Sequence, residues 1–531
     1  MLPLVRLFRR VGTIVLLVSC APVFHGQTER ASAAAPIVAD ELSKGTIPLD
    51  GRWQFHLGDD IAWAKPALDD STGQGGWEQL TTDKPWGMQG HPNTDGYAWY
   101  RRRVTLNAGP ESPQTLAILL PAVEDAYELY WNGRLVGSYG KLPPRPVYYF
   151  DQRPRTFGLG PAASGVLAVR VWKGPFLSFD NGKQGGFYAS PVVGSPQAIA
   201  DALGALNYRW LRGQQFSFAL ASLYALVSLL SLIAWLRNRS QWVMFWMGCF
   251  ALNPPTLLLQ APARLPVPML IGNAISTPFY VLADISFWFL MLWLLDLRDD
   301  NELVGLVKVL ATVDMADAFL DAISTYCFGS ANPGPAQVMD GIFTLVITAM
   351  ELIPFYLIGL AVLKRKHLAA TRWTVAFFAF LTQSIIVCSY GFSQGSRYTG
   401  WTLGATISKP LLWVLGSSIN AQTISGTLLL VALVYAVYQY STENSRRQTA
   451  MEQEYRNARA VQQVLIPETI PTVPGFAIEN VYRPAGEVGG DFFQILALRD
   501  GGVLAVIGDV SGKGMPAGMT VSLLARISHR Q

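Results

Sequence analysis

Two aspartates, Asp491 and Asp509, each follow a glycine at the edge of an apolar run in the stretch VGGDFFQILALRDGGVLAVIGDVSGKGMPAGM. Asp500-Gly501-Gly502 between them reads as a hairpin turn, so the flanking runs predict two consecutive, buried antiparallel strands. Such a hairpin brings both carboxylates to one edge of a sheet. Hard oxygen donors placed there suit Mg²⁺ or Mn²⁺, cations that take few protein ligands and keep several waters. Asp-Gly pairs also occur in ordinary turns, but two glycine-flanked acids on consecutive strands favour the metal reading.

Other chemistries fit the residues poorly. A phosphate-binding loop needs four residues between its glycine and its Gly-Lys pair, whereas Gly508 to Gly512 is one residue short and Lys513 is followed by Gly514. A diguanylate cyclase would carry Gly-Gly-Asp-Glu-Phe, and Phe492 stands in place of the glutamate. A receptor histidine kinase would need a histidine on the helix before this segment, and residues 441 to 466 contain none. No Cys-x-x-Cys or Cys/His spacing for zinc occurs, and His25, His56, His91, His367 and His529 are scattered.

The elements that position this hairpin belong to a chain with the composition of a membrane protein. Half of its 531 residues are hydrophobic and only 15% are charged. The net charge of +4 comes with no Lys/Arg stripe interleaved with aromatics, which argues against nucleic acid as a partner. The N-terminus, MLPLVRLFRR followed by VGTIVLLVSC, has the basic and apolar regions of an export signal over residues 1 to 35. Cleavage is expected either before Cys20 or after Ala33. The remaining cysteines, Cys249, Cys327 and Cys388, lie outside residues 40 to 200, so that region must fold without disulfides.

Residues 40 to 200 consist of short alternating stretches broken by Gly, Pro, Asn and Asp, which predicts an antiparallel β-sandwich. Asn132-Gly133 is the strongest hairpin signal in it. The region holds Trp53, Trp63, Trp77, Trp86, Trp99, Trp131 and Trp172. Most of these are expected in the core, with Trp77 and Trp86, in Gly/Pro-rich sequence, the best candidates for stacking on a sugar ring.

From residue 210 to 440 the chain changes to long apolar runs, and a bilayer requires about 20 such residues per helix. Seven candidate spans lie near residues 216 to 236, 241 to 260, 269 to 295, 303 to 326, 338 to 363, 372 to 392 and 420 to 440. The fourth is interrupted by Asp314, Asp317 and Asp321, which share one helical face and are expected to face away from lipid. With Asp284 and Glu351 they could line a ligand or cation cavity, or they could pair between helices. Basic residues gather in alternate connections (Arg237 and Arg239; Arg298; Lys364 to Lys366 and Arg372; Arg446 and Arg447), while Arg264 and Arg397 lie in the others. That bias places the C-terminus in the cytoplasm and the sandwich outside. Residues 441 to 466 carry Met451, Tyr455, Ala458 and Leu465 on a seven-residue repeat with Gln462, a pattern for a short dimerising coiled coil ended by Pro467.

Three resemblances overlay this reading. PLDGRWQF, DGYAWYRRRVTL, LYWNGRLVGSYG and GVLAVRVW resemble, in order, the jelly-roll sugar-binding domain of family 2 glycoside hydrolases. This implies a carbohydrate ligand, while the lack of a following barrel argues against glycoside hydrolysis. The order of sandwich, seven helices and a signalling module resembles bacterial seven-helix receptors of the inner (cytoplasmic) membrane. AVQQVLIPETIP, YRPAGEVGGDFF and IGDVSGKGMPAGM resemble the PPM-type protein phosphatases of the sporulation and stress-response branch, whose α+β sandwich would begin at residue 467. The resemblance implies that Asp491 binds one metal, Asp509 bridges two Mn²⁺ or Mg²⁺ ions, and the Val510 carbonyl completes the second site. The implied substrate is a phosphoserine or phosphothreonine on an anti-sigma-factor antagonist. Gln494 stands where the family often has aspartate, at a position that is not a principal ligand. The family's remaining metal-binding aspartates lie on strands beyond Gln531, so the 531-residue chain is expected to have at most trace activity.

Overall fold

The computed structural model describes residues 37–38, 45–71, 73, 75–105, 115–149, 153–161, 164–175, 182–254, 267–328, 333–364, 366–395, 403–414, 416–465, 472, 474–479, 481, 491–498 and 501–509. The export signal falls outside them, as do Arg264, Arg365, Arg397, Asp500, Val510 and Lys513.

The N-terminal part is a β-sandwich. Its strands are β1 (Ile37–Val38), β2 (Thr46–Pro48), β3 (Arg52–Leu57), β4 (Glu78–Thr81), β5 (Gly96–Thr105), β6 (Thr115–Leu120) and β7 (Val123–Glu124). They continue with β8 (Ala126–Trp131), β9 (Arg134–Tyr139), β10 (Arg155–Pro161), β11 (Gly165–Lys173), β12 (Gly186–Phe187) and β13 (Val192–Gly194). One sheet runs β4-β3-β5-β11-β8-β9 with β1 beside β5, and the second runs β10-β6-β13-β2. The Asn132-Gly133 turn joins β8 to β9, and both residues take positive φ, 49° and 80°, as a two-residue hairpin of the primed type requires.

Alternation explains the packing of β11. Leu167, Val169 and Val171 point into the core between the sheets with Phe55, Tyr100 and Tyr127. Ala168 and Trp172 point to the other face, where Ala168 packs with Trp77, Trp99 and Tyr130, and Trp172 with Tyr148 and Met269. Because both faces are covered along β8 and β11, those two strands read as nearly continuous apolar runs.

Burial raises the hydroxyl pKa of Tyr100, Tyr127 and Tyr148. Their unfolded value is about 10, so the stability each contributes is complete below that pH and is lost as pH rises towards the folded value. The sandwich should therefore unfold in alkali, beginning above about pH 10. Tyr100→Phe should move that transition to higher pH, as read from tyrosinate absorbance and near-ultraviolet circular dichroism; a transition unmoved by Tyr100→Phe would refute the assignment.

The C-terminal part is helical: α1 (Pro196–Arg237), α2 (Trp242–Phe250), α3 (Met269–Leu294), α4 (Asn301–Phe328), α5 (Pro333–Met350), α6 (Ile353–Leu363), α7 (Ala370–Gly395), α8 (Leu403–Ile407) and α9 (Ala421–Leu465). Among the described residues, five segments are long and apolar enough to cross a membrane: Pro196–Arg237, Met269–Leu294, Gly334–Leu363, Ala370–Ser393 and Ala421–Glu454. Of the seven spans read from sequence, the second is a nine-residue helix within the described residues, and the fourth, α4, carries Lys308 and the three aspartates.

α1 begins 20 residues before the span predicted from residue 216. Ser195 caps it by accepting from the Ala198 N–H at 3.2 Å, with Pro196 in the first turn. Its first turns belong to the sandwich, because Ile199 is buried with Ala117 and Leu119, and Leu203 and Leu206 pack beside them. α5 gives way to α6 at Glu351 and Leu352, just before Pro354, whose missing N–H cannot continue the helical ladder.

The two ends of the bundle differ. Near the sandwich, the Phe216 N–H donates to Ser417 Oγ at 3.3 Å, on the short hairpin of β14 (Leu412–Val414) and β15 (Ser417–Ile419) that leads into α9. At the far end, Ser441 Oγ of α9 donates to Gln241 Oε1 at 2.7 Å, just beyond the end of α1. From residue 216 to 237 a helix rises about 32 Å, close to the thickness of a bilayer's apolar core. Among the described residues most of the bundle's basic side chains lie at the far end, with Arg209, Arg212 and Lys409 towards the sandwich. Lys364 meets Asp300 at 2.5 Å, Lys366 meets Asp296 at 3.3 Å, Arg372 meets Glu443 at 3.6 Å, and Arg298 donates to Tyr440 Oη at 3.0 Å.

Candidate functional site

The predicted hairpin forms. β16 (Asp491–Ala497) and β17 (Val503–Asp509) are antiparallel, and the turn is closed by Leu498 N–H to Gly502 O at 2.8 Å and Gly501 N–H to Leu498 O at 3.1 Å. Gly501 has φ 86°, a conformation that L side chains rarely adopt. The register sets Asp491 directly opposite Asp509, with Gln494 opposite Val506. Directly opposed Cα atoms in an antiparallel pair lie about 4.5–5.5 Å apart.

The strands are not buried as the sequence implied. Ile507 is 85% exposed and Leu504 is 45% exposed, while Gln494 is buried. An apolar run identifies a strand that is meant to be covered, but the cover must come from other elements. Asp509 is exposed, as a residue facing a solvated cation would be. Oxygen donors of this kind fit a hard divalent cation. Among the described residues no group of three or more His, Cys, Asp or Glu side chains is assembled, so waters or backbone carbonyls would fill most of the coordination sphere. The Val510 carbonyl lies outside the described residues.

Trp77 and Trp86, the residues singled out for sugar stacking, are both in the core, 4% and 0% exposed. Trp86 sits in a 3-10 turn, Trp86–Met88, with its ring against Phe55 at 5.8 Å and its indole N–H donating to Thr94 O at 3.2 Å. Trp77 packs edge-on to Trp63 at 5.6 Å and lies under the Arg101 guanidinium at 5.8 Å. Neither offers an open ring face. Gly/Pro-rich flanks marked loops correctly but said nothing about which side of the loop the ring takes. Of the seven tryptophans only Trp63 is half-buried, in a 3-10 turn capped by Asp60, with its ring 4.2 Å from His56.

Asp314, Asp317, Asp321, Asp340 and Glu351 of the bundle are buried, and Asp284 is half-buried. Asp314, Asp317 and Asp321 lie on one face of α4, as their spacing requires, and Glu351 accepts from Tyr280 Oη at 2.8 Å and from the Gln383 side-chain amide. Lys308, on the same helix, is exposed, and among the described residues no ion pair joins it to these acids.

No family model matches the chain. A curated relative, Protein IcfG of Synechocystis sp., is 37% identical over 70 residues, which cover 13% of this chain and 11% of that protein. Among solved structures the chain is similar to a Faecalibacterium prausnitzii beta-glucuronidase, at 17% identity and a TM-score of 0.21 over 28% of this chain and 31% of that one. A Bifidobacterium dentium beta-glucuronidase complexed with coumarin-3-O-glucuronide is 16% identical, with a TM-score of 0.23 over 30% and 32% of the two chains. The chain thus spans less than a third of the length of these proteins, and likenesses this partial carry no argument about what it does.

Proposed function

We propose that the chain is a seven-helix membrane receptor whose sandwich senses a ligand outside the cell and whose helix α9 carries the signal to a cytoplasmic segment. The observation that supports this most is the geometry of α9. It starts at the sandwich end of the bundle beside Phe216, passes Gln241 at the far end, and continues unbroken to Leu465. A single 45-residue helix is about 67 Å long, more than twice the bilayer core, so a rotation or tilt at one end is transmitted to the other. The heptad residues on its extension make a second copy of the chain the natural partner, and Met451 is exposed for that contact. The basic cluster at the far end favours the inner-membrane orientation with that end in the cytoplasm. The resemblance of the sandwich strands to family 2 sugar-binding domains makes a carbohydrate the first ligand to test.

Alkaline phosphatase fused after residue 200 should be active in the periplasm, and fused after Tyr440 it should be inactive. Activity from both fusions, or from the second only, would rule out this orientation.

A second reading concerns the output. The register that opposes Asp491 and Asp509 favours the start of a metal-dependent phosphatase acting on phosphoserine or phosphothreonine of an anti-sigma-factor antagonist. A bound Mn²⁺ or Mg²⁺ pair would supply a hydroxide at neutral pH and neutralise phosphoryl oxygens. The role of the chain's own residues is to hold acidic oxygens at one end of the hairpin. Mn²⁺-dependent release of phosphate from a phosphoserine protein, by a protein that carries this segment with its completing strands, tests the reading.

A further inference from the structure

At the sandwich end of the bundle the helices line a half-open cavity of about 430 Å³. The starts of α3 and α9, the later half of α5 and the ends of α4 and α7 all contribute to its wall. Its lining includes three carboxylates on two elements: Asp321 on α4, and Asp340 and Glu351 on and just after α5. Among the described residues that line it, none is Lys, Arg or His.

Asp321 is 6% exposed, and its Oδ1 has no hydrogen-bond partner. A buried carboxylate oxygen left in this state is strongly disfavoured unless something fills the space in front of it. Two turns away on the same helix face, Asp314 also has both carboxylate oxygens buried and unpartnered. Three acids around one space, with an unpartnered oxygen on Asp321 and no base among the described lining residues, favour positive charge.

The size and lining choose between kinds of cation. A metal ion needs several oxygens converging at 2.0–2.6 Å, and no such group is formed among the described residues. A cavity of this volume falls in the range of small-molecule sites. Tyr280, Phe343 and Tyr390 supply aromatic surface to its wall, suited to a carbon skeleton and to the flank of an ammonium group.

We propose that this cavity binds a small organic cation, a protonated amine whose ammonium group meets Asp321, with Asp340 and Glu351 adding negative charge on the same wall, and whose carbon skeleton lies against Phe343 and Tyr390. The site touches both ends of the signalling path. Gln422 in the first turn of α9 lines it, and α3, which supplies Tyr280, begins at Met269, packed against Ala126, Tyr148 and Trp172 of the sandwich. The binding proposal stands on the bundle alone and is independent of orientation and of any phosphatase output.

The test uses the full chain in detergent micelles, with binding measured by calorimetry and by the shift in thermal unfolding. The probes are tyramine, putrescine, 4-ethylphenol as the neutral counterpart of tyramine, and the chlorides of Na⁺, Mg²⁺ and Mn²⁺. Tyramine or putrescine should bind and raise the unfolding midpoint, and 4-ethylphenol should do neither. Asp321→Asn and Asp340→Asn should each weaken amine binding at least tenfold, whereas Asp299→Asn, in the exposed loop before α4, should leave it unchanged. If either cavity variant fails to fold, Thr348→Leu decides the matter, because it fills the space without altering charge and should abolish amine binding. The proposal is overturned if neither amine binds the wild-type chain. Equal binding of 4-ethylphenol, stabilisation at this site by the inorganic cations alone, or amine binding unchanged by the folded variants would overturn it as well.

Discussion

Changing Asp509 to asparagine should remove Mn²⁺ binding by the C-terminal hairpin, the largest functional effect expected of any single substitution in the chain. Asp509 stands opposite Asp491 at the open end of the β16–β17 pair, so the two acids are the main source of negative charge there. At an effective dielectric of about 20, a carboxylate about 4 Å from a single positive charge contributes about 4 kcal/mol, and a divalent ion doubles it. Even half of one such interaction is more than a tenfold change in affinity. Electron paramagnetic resonance of free Mn²⁺ should therefore show one ion bound by the wild-type chain and none by Asp509→Asn at the same concentrations. Asp491→Asn should weaken binding strongly, and Lys513→Ala, which changes no assigned ligand, should have a much smaller effect. In a protein that carries the completing strands, phosphate release should follow the same order. Undiminished Mn²⁺ binding by Asp509→Asn would remove the basis for a phosphatase output.

Trp86→Ala should be the most destabilising substitution in the sandwich. The ring is fully buried, stacks on Tyr100 at 6.5 Å and tilts against Phe55. The chain then folds back over it at Gly185, where a Cβ would stand 2.3 Å from the indole and φ is 115°. A cavity lined by rigid strands collapses little, so truncation of a buried tryptophan of this kind costs about 3–5 kcal/mol. Urea unfolding of the sandwich in the full chain, followed by the fluorescence of the remaining tryptophans, should show that loss. Trp63→Ala, at a half-buried ring, should cost clearly less. A cost for Trp86→Ala no larger than that for Trp63→Ala would mean that the ring does not organise this core.

These expectations draw unequally on sequence and structure. The Asn132-Gly133 hairpin, the turn at Gly501 and the strand pair around it were legible because each depends on a few adjacent residues and their backbone preferences. The long apolar runs were legible as helices for the same kind of reason, since length and composition are properties of the segment itself. The spacing of Asp314, Asp317 and Asp321 likewise placed them on one face before any packing was known.

Other features depended on partners distant in the chain. Trp77 and Trp86 sit in Gly/Pro-rich loop sequence and Trp63 does not, yet of the three only Trp63 keeps partial access to solvent; the difference lies in what folds over each ring. The start of α1 on the sandwich is set by Ile199 meeting Leu119, a contact between residues 80 positions apart. The exposure of Ile507 shows the converse, an apolar residue whose strand is evident locally while its burial depends on a further layer. The grouping of Asp321, Asp340 and Glu351 around one cavity belongs to the same class. Local sequence determines backbone conformation and the face on which a side chain lies, because those energies arise within a few residues. Which faces meet, and which acids share a space without a base, is decided by packing between elements that the chain order does not reveal.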